Sequence, residues 1–172
     1  NGEIAIEMAK RGASKVLGID ISSVAVENAR KLADDAGVGN ICEFKVMDAE
    51  HTEFADGTFD IIHEYGALHH LDLPAAFTEL SRILKPSGKL ICTEALRHNP
   101  LIHWYRKRTP HLRTDWEVAH ILGFPEIKSG QKYFASLNLR TFHLAALAAV
   151  PFRKAFFFEP LLGVLNIMDR VL

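Results

Sequence analysis

Cysteine is scarce in this chain. Cys42 and Cys92 are the only two, each alone in an apolar run, "NICEFKV" and "KLICTEAL". No CxxC spacing is available, which excludes the commonest thiolate metal sites and dithiol redox pairs. Both thiols are expected in the core of a protein kept in a reducing compartment. Net charge is slight too: −1 at pH 7, with 20 basic against 21 acidic residues. That excludes a general attraction to nucleic acid or to an anionic membrane surface, so any such binding must be local. A run of about 18 apolar residues is lacking, as is a charged-then-apolar leader, so neither a spanning helix nor a signal peptide is expected and the reading is cytoplasmic. Internal repeats and low-complexity linkers are also missing.

What is present is 172 residues with a hydrophobic share of 48%, enough for one domain with a core. From Ile4 to Arg11 apolar residues recur at helical spacing, and Gly12 can end that helix. "KVLGID" reads as a buried strand. Ser22 or Ser23 then offers an N-cap to a helix carrying Ala25, Ala29, Leu32, Ala33 and Ala36 and closed by Gly37. "ICEFKVMD" and "FDIIHEYG" are the next strands, and Asp72 with Pro74 opens a helix carrying Leu73, Phe77, Leu80 and Leu84. The turn "LKPSGKL" stops it before a last clear strand, "KLICTEAL". This alternation predicts an α/β fold with a doubly wound, mostly parallel sheet. Past Arg97 it weakens. Residues 97–124 read as an excursion, "PEIKSGQKYFASLNL" could hold one more strand, and 139–172 read as two helical pieces broken by Pro151 and Pro160.

In a doubly wound sheet the ligand lies across the carboxyl ends of the strands. Asp20 ends "KVLGID", where a carboxylate can accept from both hydroxyls of a ribose. Asp48 ends "ICEFKVMD", where it can accept from an exocyclic adenine amine. Ile21 could pack on the adenine face. Either acid alone also reads as a capping or loop acid; their placement at successive strand ends is what describes an adenosine pocket.

With these residues the chain resembles the class I S-adenosylmethionine-dependent methyltransferases, in a type 11-like form. "NG" at Asn1 and Gly2 looks like the last two positions of the family's glycine loop, and "GIDIS", "MDAE", "FDIIHEYGALHHL" and "LKPSGKL" match its later motifs in order. The resemblance covers residues 1–96. It implies a Rossmann-like cofactor-binding core there, truncated at its N-terminus so that the first central strand is missing and two inner strands lack a ladder partner. Residues 97–172 then form the substrate side and apolar end of the same domain. The resemblance further implies that S-adenosylmethionine is the cofactor. Gly2 would border its methionine part, Asp20 and Ile21 hold ribose and adenine, Asp48 and Ala49 hold the adenine edge, and His63 and Glu64 line the floor after the third strand of this chain.

Methyl transfer from a sulfonium needs alignment above all, with a general base if the acceptor is a hydroxyl or an acidic carbon. His69 and His70, in "ALHHLDLP", are the candidate bases, with loop shaping as their other reading; Tyr65 is a lesser candidate. The acceptor is expected to be a small molecule presenting an O, N or C nucleophile, an apolar one among the candidates. No metal is expected, because His63, Glu64, His69 and His70 fit no ligand spacing. The basic stretch "WYRKRTPHLR" is better read as a solvated loop or lid than as a polynucleotide site. Two other functions share the sheet. A nicotinamide-dependent short-chain oxidoreductase would carry Tyr-x-x-x-Lys, and none of Tyr65, Tyr105 or Tyr133 has that lysine. A methyltransferase-like module could bind without turnover. The Phe156, Phe157 and Phe158 run cannot all face one side of a helix, so at least one ring is expected toward a groove, a partner or solvent.

Overall fold

Gly2 adopts a left-handed conformation (φ 88°) as the N-cap of α1, Glu3–Lys10. A side chain there would be strained and would have no room: a Cβ would lie 2.8 Å from the Cβ of Ala29 and 3.2 Å from its Cα. This glycine lets α1 pack against α2. In the computed structural model of the protein, residues 2–97, 108–109, 121–142 and 145–169 are described. The chain divides into two units, Asn1–Thr93 and Glu94–Leu172.

In the first unit α1 ends at Gly12, again left-handed (φ 100°), and β1 follows at Val16–Asp20. The Ser22 hydroxyl accepts from the Ala25 N–H at 3.2 Å and starts α2, Ser23–Asp35. After β2, Cys42–Val46, and β3, Phe59–Tyr65, comes a 3-10 turn at Leu68–His70. Asp72 caps α3, Leu73–Ile83, its carboxylate accepting from Ala75 N at 2.9 Å, and β4 spans Leu84–Thr93. β1 pairs parallel with β2, from Val16 opposite Cys42 to Asp20 opposite Val46. β3 pairs parallel with β4, from Ile61 opposite Lys89 to Tyr65 opposite Thr93. The fold is α/β and Rossmann-like, with parallel pairing throughout the described strands. The ladder is divided, however: β1 and β3 are not hydrogen-bonded to each other, and two two-stranded sheets result.

The larger core cluster joins Val16, Cys42 and Phe44 of the strands to Ala9, Val26, Ala29, Ala33 and Val38. Burial of the larger members, Val16, Val26, Val38 and Phe44, stabilises by up to about 1.5 to 3 kcal/mol each. Small residues on α1 and α2 make the close packing possible, and Gly18 does the same on β1, where the Phe44 ring would lie 2.5 Å from an added Cβ. Around α3, Leu68, Ala76, Phe77, Leu80 and Ile83 are buried.

Several details differ from the expectations. Cys42 is buried, and burial pushes its thiol pKa up, but Cys92 is exposed; its strand carries little cover, with Ile61 and Ile91 exposed on the same pair. The buried stripe of α2 is Val26, Ala29 and Ala33, which turns Leu32 outward. "LKPSGKL" is not a free turn. α3 runs directly into β4, and the extra residues are absorbed as a register shift between the β3 positions Phe59 and Ile61. Finally, 125–139 holds no strand.

In the second unit Leu96 and Leu122 form an isolated parallel bridge, with Arg97 N donating to Leu122 O at 3.0 Å. The predicted strand is replaced by α4, Phe124–Ser129, and a 3-10 turn, Gly130–Lys132. Pro125 suits a first helical turn, and the Glu126 carboxylate accepts from Gly123 N at 2.9 Å, a local cap that outweighs the period of the sequence. A 3-10 segment at Ala146–Phe152 contains Pro151, and α5 spans Phe158–Asp169. Pro160 lies inside the first turn of α5, where its missing N–H is harmless, so it does not break the helix as expected. Most of the excursion after Arg97, including all of "WYRKRTPHLR" but Arg108 and Thr109, lies outside the described residues.

Candidate functional site

The two acids at the strand ends are held by the same device. Asp20 Oδ1 accepts from Ser22 N at 2.8 Å, and Asp48 Oδ1 accepts from Glu50 N at 2.9 Å. Each forms an Asx turn that orients the carboxylate. Asp20 and Asp48 are both exposed, so neither acid is consumed by the fold. The β1 to β2 ladder continues one step past the strands, where Met47 N donates to Asp20 O at 3.1 Å. That bond ties the backbone of one acid to the residue preceding the other. Beside them Ile21 is 78% exposed, an apolar side chain presented at a polar strand end, and Ala49 is half-buried.

From Asp48 the chain is tethered onward. Glu50 Oε1 accepts from Asp72 N at 2.8 Å, which links the segment after β2 to the residues that follow His69 and His70. Glu64 acts on the same turn from the other side: its Oε1 accepts from Leu68 N at 3.2 Å and from Ala67 N. Predicted as a floor residue, Glu64 caps the 3-10 turn that presents the histidines. His69 is half-buried and His70 exposed, with ring centroids 4.0 Å apart. His63 and Glu64 are adjacent on β3 and therefore project to opposite faces, so only one of them can share a face with the turn. Gly2 lies against Ala29 and the Phe44 ring, inside the packing of α1 on α2. Among the described residues no three His, Cys, Asp or Glu side chains gather in a metal-binding group.

Sequence reasoning missed the group that anchors this region. Glu79 on α3 is 8% exposed. One of its oxygens accepts from Thr52 N at 2.8 Å, Thr52 Oγ1 at 2.5 Å and Arg82 Nη2 at 2.6 Å; the other accepts from Arg82 Nε at 2.9 Å. Arg82 in turn reaches Asp56 at 2.6 Å. The Arg82 hydrogen bonds, with those from Thr52, hold the Glu79 carboxyl at about 2 against the opposing effect of burial. The signal was present in "TELSR": a glutamate on the buried stripe between Ala76 and Leu80, with an arginine three residues on.

A cavity of about 670 Å³ lies elsewhere, along β2 and α2, lined by Lys15, Arg30, Asp34, Glu43 and Lys45 among others. It includes none of the predicted site residues. The carboxyl ends of the strands remain the better candidate, because Asp20 and Asp48 present exposed, oriented carboxylates there.

Parallel strand pairs with an acid at the carboxyl end of β1 and another just past β2 define the class as an α/β, Rossmann-like domain. The particular family follows from comparison: the family described as a methyltransferase domain matches residues 1–92, and the chain belongs to it, with the class I S-adenosylmethionine-dependent fold. A ubiquinone/menaquinone biosynthesis C-methyltransferase from Rickettsia felis is 34% identical over 100 residues, covering 55% of this chain and 40% of that protein. The 27-O-demethylrifamycin SV methyltransferase of Amycolatopsis mediterranei is 36% identical over 91 residues, 52% of this chain and 34% of its own. The chain thus spans two fifths or less of these curated relatives. Among solved structures, an SAM-dependent methyltransferase from Methanosarcina mazei superposes with a TM-score of 0.54 at 31% identity, covering 64% of this chain and 55% of that one.

Proposed function

We propose that this chain supplies the cofactor-binding part of an S-adenosylmethionine-dependent methyltransferase acting on a small molecule. The observation that carries the reading is the pair Asp20 and Asp48, each oriented by an Asx turn, exposed, and joined through the Met47 to Asp20 bond. The residues fit the cofactor on two counts. Asp20 presents an exposed carboxylate suited to two ribose hydroxyls, and Ile21 presents apolar surface to a flat ring. The cofactor, when bound, supplies a methyl group already activated on a sulfonium.

The chain's own residues then bind, orient and accept a proton. Asp20 takes the ribose hydroxyls, Asp48 and Ala49 the adenine edge, and Glu64 holds the turn that presents His69 and His70. Of the two, His70 is the more exposed and the better placed to take a proton from an acceptor hydroxyl or acidic carbon. One relative is named for C-methylation in ubiquinone/menaquinone biosynthesis and another for 27-O-demethylrifamycin SV. Both names support a small-molecule acceptor and leave the accepting atom open.

Titration calorimetry with S-adenosylmethionine tests the reading. Replacing Asp20 by alanine removes a charged hydrogen-bond acceptor, a loss of about 1.5 to 3 kcal/mol, or tenfold and more in affinity. Unchanged binding by a folded Asp20→Ala protein would remove Asp20 from the site.

A further inference from the structure

The 3-10 segment Ala146–Phe152 and α5 form an antiparallel hairpin. Its open end is clamped by Asp169, whose carboxylate oxygens accept from Ala145 N at 2.6 Å and Ala146 N at 3.1 Å. Its closed end is the turn that carries "FRKAFFF". Successive backbone bonds shape that tip: Ala155 N to Phe152 O at 2.8 Å, Phe158 N to Ala155 O at 3.0 Å and Leu161 N to Phe157 O at 3.1 Å.

The side chains on this ordered tip are the opposite of what water favours. Phe156 is 98% exposed, and Phe152 and Phe157 are exposed beside it. The rings form a chain, Phe152 to Phe157 at 5.6 Å between centroids and Phe157 to Phe156 at 5.4 Å. Arg153 and Lys154 project from the same turn, exposed and in no ion pair among the described residues. Along α5, Val164, Ile167 and Met168 recur at helical spacing on one exposed face, and no charge falls between Glu159 and Asp169. An exposed apolar face of this kind marks an interaction surface.

We propose that the hairpin docks on the surface of a bilayer containing anionic lipid, with the phenylalanine tip inserted at the level of the headgroups and Arg153 and Lys154 against the phosphates. Charge selects this occupant. Aromatic rings flanked by cations match the apolar and anionic layers of a membrane interface. A second copy meeting tip to tip would set one net positive charge against another, with no anionic layer to receive either. Among the described residues of the hairpin, Glu159 is the opposing charge next to the tip, so a net single positive charge remains among Arg153, Lys154 and Glu159, and the electrostatic contribution is modest. No described helix is long and apolar enough to cross a membrane, so the contact is one of surface docking. The proposal stands on the second unit alone and does not depend on the methyltransferase reading.

Co-sedimentation of the full chain with vesicles of phosphatidylcholine, plain or with about one third phosphatidylglycerol, reads it directly. The chain is expected to pellet with the anionic vesicles more than with the neutral ones. Phe156→Ser should weaken that binding by about fivefold to tenfold, and Arg153→Gln with Lys154→Gln should abolish the preference for anionic lipid. Because Phe156 is in solvent, its replacement should leave the thermal transition unmoved. Any of these results would overturn the proposal: no vesicle binding, equal binding by Phe156→Ser, or a lipid-free dimer that Phe156→Ser dissociates. A lowered transition in Phe156→Ser would overturn it as well, since the ring would then be packed.

Discussion

Glu50 accepts the backbone N–H of Asp72 at 2.8 Å, and this bond joins the segment carrying Asp48 to the residues just after His69 and His70. It connects the part of the site proposed to read the cofactor with the part proposed to handle the acceptor. Replacing Glu50 by alanine should free Asp72 N and loosen both segments. A hydrogen bond to a charged group of this kind contributes about 1.5 to 3 kcal/mol, less when solvent can replace it. The expected outcome is a cofactor affinity reduced about threefold to tenfold in calorimetry, with a thermal midpoint lowered by only a few degrees.

Glu79 predicts a specific acid sensitivity. Its carboxyl is held at about 2, below the ordinary 4.5, chiefly by the Arg82 hydrogen bonds. A carboxylate with a depressed folded value contributes stability that is fully present above 4.5 and lost as pH falls through 2. The difference corresponds to about 3 kcal/mol. Urea unfolding should show that contribution shrinking from pH 5 to pH 2. A Glu79→Gln protein should be less stable at neutral pH and should have a flatter acid limb.

Gly2→Ala should be costly despite the small size of the change. It places a side chain at φ 88° and 2.8 Å from the Ala29 Cβ, so strain and crowding add to a loss of about 1 to 3 kcal/mol. Thermal denaturation of Gly2→Ala, and of Gly2→Ala with Ala29→Gly, separates the two. The second change should recover the crowding part and leave the strain.

The histidines should separate from the cofactor site in kinetics. If His70 takes a proton from the acceptor, His70→Ala should lower kcat by about a hundredfold or more and flatten the pH profile, with S-adenosylmethionine affinity unchanged. His69→Ala, at a half-buried position, should instead lower the thermal midpoint. A His70→Ala protein with unaltered kcat and pH dependence would return the turn to a shaping role.

The order of elements up to Thr93, the caps at Ser22 and Asp72 and the acids at the ends of β1 and β2 could all be read from the sequence by itself, because each depends on residues a few places apart. A serine caps the helix that follows it, apolar residues repeat with the period of their own helix, and an acid after a strand stands where the chain turns. What only the tertiary structure decided depends on partners distant in the chain. Thr52 finds Glu79 across 27 positions, so no local pattern announces that a buried glutamate anchors the region. The same holds for the face of α2 that turns inward, for the exposure of Cys92 and for the tether from Glu50 to Asp72. At α4 a cap between Gly123 and Glu126 overrode an expected strand. In each case the outcome was settled by which groups met when the elements packed, since a buried carboxylate persists only where donors converge on it and an apolar side chain is covered only where another element supplies the cover.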